Sequence, residues 1–203
     1  MRIGLFGGSF NPVHRGHIYL AHAAFLELTL DRVVFIPCNQ NPLKAKEELL
    51  PASLRVKLLK RAICGAPGFS VSLFEIQRKG PSFTVDTLKY FRKRLGKSAV
   101  LYFLTGVDSL KTLSRWKSVD EIFKLCHFVV MTRPGFAIHK SSRSFFYIPF
   151  DALPLSSSRI RSRLEKRRSI QGMVPPGTAS LLKKYYQKKI QGGLKSKFKI
   201  KSS

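Results

Sequence analysis

Acidic residues are scarce in this chain. Eleven Asp and Glu stand against 37 Lys and Arg among 203 residues, for a formal charge of +26. From residue 159 onward there are 14 basic residues and one acid, Glu165, so that closing segment alone carries +13. The imbalance favours anionic partners: phosphorylated metabolites, nucleic acid or a charged surface. Cysteine is sparse too. Cys38, Cys64 and Cys126 are odd in number and show no C-x-x-C spacing. This argues against a disulfide framework and a zinc ribbon, and points to core packing in a reducing cytoplasm. No apolar run approaches the roughly 18 residues of a spanning helix, so no membrane partner is expected. The opening MRIGLFGG is too short and too glycine-broken for a signal peptide and reads as a strand. There is no G-x-x-x-x-G-K-[ST], and no G-x-G-x-x-G with a later acidic ribose ligand, which disfavours a P-loop and a dinucleotide fingerprint. A recognition helix or an aromatic RNA platform is also missing. Nonspecific, salt-sensitive binding of nucleic acid through the basic C-terminus remains an expected side property.

What is present is an alternation. RIGLF, RVVFIP, AVLYFLT and HFVVMT are short apolar runs closed by Gly or Pro, as in buried strands. Residues 69–76 alternate and predict another strand, and residues 145–148 a short last one. Between them, residues 17–30, 51–64 and 84–95 carry apolar positions three and four apart and predict helices. Ser118-Val-Asp-Glu121 has capping-box spacing ahead of a further helix. Strand and helix alternating over 150 residues predict an α/β fold, a mostly parallel sheet with helices on both faces. The last quarter changes character. It predicts a small C-terminal helical portion at about 155–190 belonging to one domain over 1–190. Residues 191–203, beginning near Gly192-Gly193, are expected to form a basic, disordered tail.

The stretch GGSFNPVHRGH, residues 7–17, holds three glycines and two histidines directly after the first strand. In an open parallel sheet, ligands bind beyond the carboxyl ends of the strands. Glycines there let backbone N–H groups approach a ligand, and the following helix offers its positive end, which together suit a phosphate chain. His14 and His17 lie three apart and can face one oxyanion cluster. A structural pair is the plain alternative, and metal ligation lacks a neighbouring third ligand. Ser156-Ser-Ser-Arg-Ile-Arg161 is a second candidate anion cradle at a helix start, or an ordinary serine cap.

His14-Arg-Gly-His17 resembles the HxGH signature of the nucleotidyltransferase superfamily. The longer GGSFNPVHRGH looks most like the bacterial nicotinate-nucleotide adenylyltransferases. Further segments match that family in order: Asn41-Pro-Leu-Lys44 at its Pro-Pro-His-Lys loop, Gly80-Pro-Ser-Phe-Thr-Val-Asp-Thr-Leu88, Gly106-Val-Asp108, Trp116, Arg133-Pro-Gly135, and Ser156 to Arg161 at its SSTxIR motif. The resemblance implies a Rossmann-like doubly wound fold and direct attack of the nicotinate mononucleotide phosphate on the α-phosphorus of ATP, without a covalent enzyme intermediate. It makes His14, His17, Lys44 and Arg161 the catalytic set. Gly8, Ser9 and Phe10 would hold phosphate through backbone N–H groups. Gly106 and Asp108 would bind the nucleotide, with Asp108 accepting from ribose hydroxyls unless it merely caps a helix. Ser157, Ser158 and Arg161 would hold the β- and γ-phosphates. Trp116 would stack on the pyridine ring. Thr84 would bond its carboxylate, with Arg133 as a nearby charge and Lys44 reaching the reacting phosphates. Mg²⁺ is implied as the companion of ATP, held by phosphate oxygens and water rather than by protein ligands.

Two positions depart from the family pattern. Asn11 stands where Asp is frequent, and Leu43 replaces the His of Pro-Pro-His-Lys. Related activities, phosphopantetheine adenylyltransferase or a cytidylyltransferase, fit the Gly80–Thr84 segment and Trp116 less well. Monomer and homodimer are both compatible with the sequence.

Overall fold

The computed structural model describes residues 1–44, 48–132, 145–149 and 153–199, without the side chains of 44, 108, 149 and 192–199. Six strands form one parallel sheet: β1 (Arg2–Gly8), β2 (Arg32–Pro37), β3 (Phe69–Val71), β4 (Val100–Gly106), β5 (His127–Thr132) and β6 (Phe145–Pro149). Their spatial order is β3-β2-β1-β4-β5-β6, and every neighbouring pair is parallel. This is the doubly wound Rossmann order, whose switch point lies between β1 and β4. Ligands in such sheets lie at the carboxyl ends of those two strands, which end at Gly8 and Gly106.

Period two decides the layers. In β1, Ile3 and Leu5 enter one core while Phe6 enters the other. In β4, Leu101 and Phe103 face the first of these, Tyr102 and Leu104 the second. Both faces are apolar because both are covered, as parallel sheets require. One face is packed by α1 (Arg15–Glu27), α2 (Ala52–Ala62), α6 (Ser157–Glu165) and α7 (Ala179–Lys199); the other by α4 (Thr84–Leu95) and α5 (Val119–Leu125). Gly4 lets the layers close, since a Cβ there would come within 2.8 Å of Leu30 Cδ1 and force that buried side chain to shift.

Two expectations are corrected. The strand predicted over residues 69–76 stops at Val71 and is followed by a short helix, α3 (Phe74–Gln77). Pairing with β2 lasts only from Val33 to Phe35. Beyond it the Phe74 ring stacks on Tyr90 of α4 at 3.9 Å, so packing overrides the alternating pattern. Ser118 does occupy the N-cap of α5, but in the left-handed region at φ 53° with no capping bond from its side chain. Glu121, its expected reciprocal partner, instead pairs with Lys89 at 2.8 Å. The helix α7 runs through Gly192-Gly193 to Lys199, and residues 200–203 of the expected tail lie outside the described residues. Two glycines cost a helix about 1 kcal/mol each, and the Lys, Leu and Gln around them are good helix formers.

Candidate active site

The segment after β1 is built around its glycines and rings. Phe10 has φ 44°, yet its side chain is buried, edge-on to Phe6 at 5.4 Å and to His17 at 5.1 Å. His14 is the N-cap of α1, and its backbone N–H donates to His17 Nδ1 at 3.2 Å. That bond makes Nδ1 an acceptor and leaves the proton of neutral His17 on Nε2. The two imidazoles lie 3.7 Å apart, tilted by 30°. Gly16 leaves room beside them, because a Cβ at that position would lie 3.1 Å from His14 Nδ1 and press on the ring. His14 Nδ1 is also the buried side-chain nitrogen or oxygen left without a partner among the described residues. Burial lowers the His14 pKa to about 4. It drives His17 well below its ordinary value too, helped by the adjacent His14. Both rings are therefore neutral at pH 7, each with one N–H to donate.

A cavity of about 680 Å³ opens at the carboxyl ends of β1 and β4. It gathers Gly8, Ser9, Phe10, His14, His17, Thr84, Gly106, Trp116, Ser157 and Ser158 of the residues predicted from the sequence. Trp116 is half-buried. Its ring is edge-on to Phe103 and Phe128, each at 5.9 Å, and its Nε1 donates to Thr112 Oγ1 at 3.4 Å. Thr84 is the first residue of α4, at that helix's positive end.

The serine segment behaves as a clamp on the loop. Ser156 caps α6 by accepting from Arg159 N at 3.2 Å. Ser157 Oγ donates to the Pro12 carbonyl at 2.9 Å, and Arg161 Nη1 donates to the Asn11 carbonyl at 2.7 Å. Arg161 also reaches Ser158 Oγ at 3.3 Å, and it is not among the residues lining the cavity. Lys44 ends a 3-10 turn at Pro42–Lys44, and Asp108 lies in a 3-10 helix at Val107–Arg115; their side chains are outside the described part. Arg133 lies outside the described residues altogether.

Several lining residues escaped the sequence reading. Glu75, Arg115 and Lys117 face the cavity, beside Leu43, Ser82 and Phe83 of the segments that match the family but carried no assigned role. Lys117 sits 4.8 Å over the Phe83 ring and 3.7 Å from Asp86, which also meets Arg78 at 3.4 Å. The neighbouring Gly80–Leu88 match and Trp116 were the available signal for Ser82, Phe83 and Lys117. Glu75 had none: it is buried against Thr87 Oγ1 at 2.5 Å, and burial raises its pKa.

Asn11 has a local explanation. Its side chain donates to the Glu48 carbonyl at 3.1 Å and accepts from Leu50 N at 2.8 Å, a pairing that needs an amide. Replacing it by Asp removes the donor and sets two oxygens against each other. N11D is expected to lose about 1–2 kcal/mol of stability, read by urea unfolding. Equal unfolding midpoints for the two proteins would contradict it.

Comparisons with known proteins agree with this geometry. The cytidylyltransferase-like family profile matches residues 5–163. A protein of Clostridium perfringens named "Probable nicotinate-nucleotide adenylyltransferase" is 37% identical over 195 residues, spanning 91% of this chain and 96% of its own. A Thermoanaerobacter protein of the same name is 35% identical over 207 residues, spanning 96% and 98%. A solved Plasmodium falciparum structure, described as nicotinic acid mononucleotide adenylyltransferase complexed with NaAD, shares the fold with a TM-score of 0.76 at 20% identity, over 92% of this chain and 97% of that one. An HxGH pair on a Rossmann sheet, matched over most of the chain by such relatives, places the chain in the nicotinate-nucleotide adenylyltransferase family, within the cytidylyltransferase-like nucleotidyltransferases.

Proposed function

We propose that the protein transfers the adenylyl group of ATP to nicotinate mononucleotide, giving deamido-NAD and pyrophosphate in NAD biosynthesis. The observation that carries this reading is the neutral His14–His17 stack, joined to the loop after β1 and sharing one cavity with Trp116 and Thr84. A phosphate monoester is already a nucleophile near neutral pH, so no general base or covalent intermediate is needed. The protein's task is to align attacking and leaving oxygens and to offset charge on the α-phosphorus. On this reading His17 Nε2–H and the His14 imidazole donate to phosphate oxygens. Gly8, Ser9 and Phe10 present backbone N–H groups. Lys44 and Arg161 supply positive charge, with Ser157 and Ser158 at the start of α6. Trp116 carries the pyridine ring; Thr84 and Arg133 favour its carboxylate, and Asp108 a ribose. The described residues hold no group of three His, Cys, Asp or Glu placed for a metal. Mg²⁺ enters on this reading with the substrate, as MgATP bound through its phosphates and water.

The test is pyrophosphate release from MgATP with nicotinate or nicotinamide mononucleotide, His17→Ala serving as control. Release that depends on the nicotinate form and on His17 is expected; release with neither nucleotide rejects the assignment. Trp116→Ala is expected to raise KM for nicotinate mononucleotide about 10-fold, with KM for ATP nearly unchanged, because stacking on an aromatic face contributes about 1–3 kcal/mol per ring. Steady-state kinetics with each substrate varied would show it; equal KM values for the mononucleotide would exclude the stack.

Residues 1–190 act as one unit on this reading, since Ile160, Leu164, Leu182 and Tyr186 share a core with α1 and α2. No described helix is long and apolar enough to cross a membrane. The free cysteines suit a reducing cytoplasm. The basic segment from residue 159 would retain nucleic acid nonspecifically, and added salt would release it.

A further inference from the structure

Arg55 is only 2% exposed and is among the largest fully buried side chains of the protein. It lies in the first turns of α2, and no acidic side chain pairs with it among the described residues. An arginine in that position is costly unless its donors are matched. Those on Nε and Nη1 are matched by carbonyls. Nε donates to Leu50 O at 3.0 Å, while Nη1 donates to Ser9 O at 2.9 Å and to Cys38 O at 2.8 Å. Ser9 follows β1. Cys38 follows β2, continuing its ladder through a bond from Cys38 N to Gly8 O at 2.9 Å. Leu50 is gripped from its other side by Asn11. One guanidinium thus ties both ends of the segment 38–50, which carries Asn41 to Lys44, to the loop after β1.

The bond to Ser9 has a directional consequence. In a trans peptide the C=O and the following N–H point in opposite directions. Holding the Ser9 carbonyl inward, on Arg55, turns the Phe10 N–H the other way, and that N–H has no protein acceptor among the described residues. The peptide after Cys38 behaves likewise: its carbonyl goes to Arg55 and its N–H, on Asn39, reaches Ser82 Oγ at 3.0 Å beside the cavity. We propose that Arg55 is a positioning residue for ATP. It aims the Phe10 N–H at the triphosphate and places beneath it a positive charge with no acidic partner among the described residues.

This rests on the adenylyltransferase reading, and the test separates the two. Arg55→Met and Arg55→Lys are made in the full chain, and folding is checked by circular dichroism and thermal melting. Each substrate is then varied in turn in the pyrophosphate assay. For Arg55→Met, kcat/KM for ATP is expected to fall about 10- to 100-fold through misplacement of the loop. KM for nicotinate mononucleotide should stay within about twofold. Arg55→Lys, which keeps the charge but not the fork, should recover part of the loss. Folded variants with unchanged ATP parameters, or with both substrates affected equally, would overturn the proposal. Should Arg55→Met not fold, Arg55→Lys decides through the same ATP-against-mononucleotide split. If the wild-type protein turns over neither mononucleotide, the function fails, while the ATP-induced melting shift of wild type against Arg55→Lys still tests Arg55: a smaller shift in the variant supports it and equal shifts reject it.

Discussion

His17→Ala is expected to lower kcat by about 10²- to 10³-fold, the scale set by removing one preorganised donor from a developing oxyanion. The reason lies in how the ring is held. His17 Nδ1 is occupied by the His14 backbone N–H, and Phe10 and Phe6 flank the ring. The imidazole therefore cannot swap tautomers or swing away without breaking a bond, and Nε2–H stays ready before substrate arrives. Because burial keeps the ring neutral, its contribution is a directed N–H rather than a full charge. His17→Asn, which retains an N–H but on a shorter stem, should recover only a minor part. Steady-state pyrophosphate release, with thermal melts to confirm folding, measures this. A folded alanine variant within threefold of wild type would remove His17 from the mechanism.

Acid should destabilise the protein through His14. Its pKa is about 4 when folded against 6.5 for an ordinary histidine. Between those values the unfolded chain binds a proton that the folded chain refuses. Stability is thus unaffected by this group above pH 6.5 and falls as pH drops from 6.5 toward 4, by about 3 kcal/mol in total. His17, shifted in the same direction, adds to the loss. His14→Gln cannot titrate there. Urea unfolding at pH 7 and pH 4 should show the wild type losing about 3 kcal/mol more than the variant between the two conditions. Parallel losses would mean that His14 is not held neutral in the native state.

Legibility from sequence followed the range of the interaction. α4 begins and ends where the sequence places it, at Thr84 and Leu95, because the apolar period of the helix and the stop at Gly96, φ 76°, are written in adjacent residues. β5 coincides likewise with its apolar run, His127–Thr132. The stretch after Val71 was misread because its alternation is real, but β2 offers only three residues of pairing. Glu75 and Arg55 were not recognised at all. In sequence a charged residue inside a helix looks solvent-facing, and nothing local says that Arg55 turns inward to three carbonyls up to 46 residues away.

The sequence by itself determined the strand–helix alternation, the glycine-rich turn after β1 and the spacing of His14 and His17. Each depends on backbone conformations and periodicities that neighbouring residues set. Only the tertiary structure decided what those parts face. It put α6 on the loop after β1, through Ser157 to Pro12 and Arg161 to Asn11, across 145 and 150 residues of chain. It also stacked the histidines, emptied them of charge by burial, and buried Arg55 beneath Ser9. Desolvation and long-range hydrogen bonds exist only once distant segments have closed around the same point, so no local pattern encodes them.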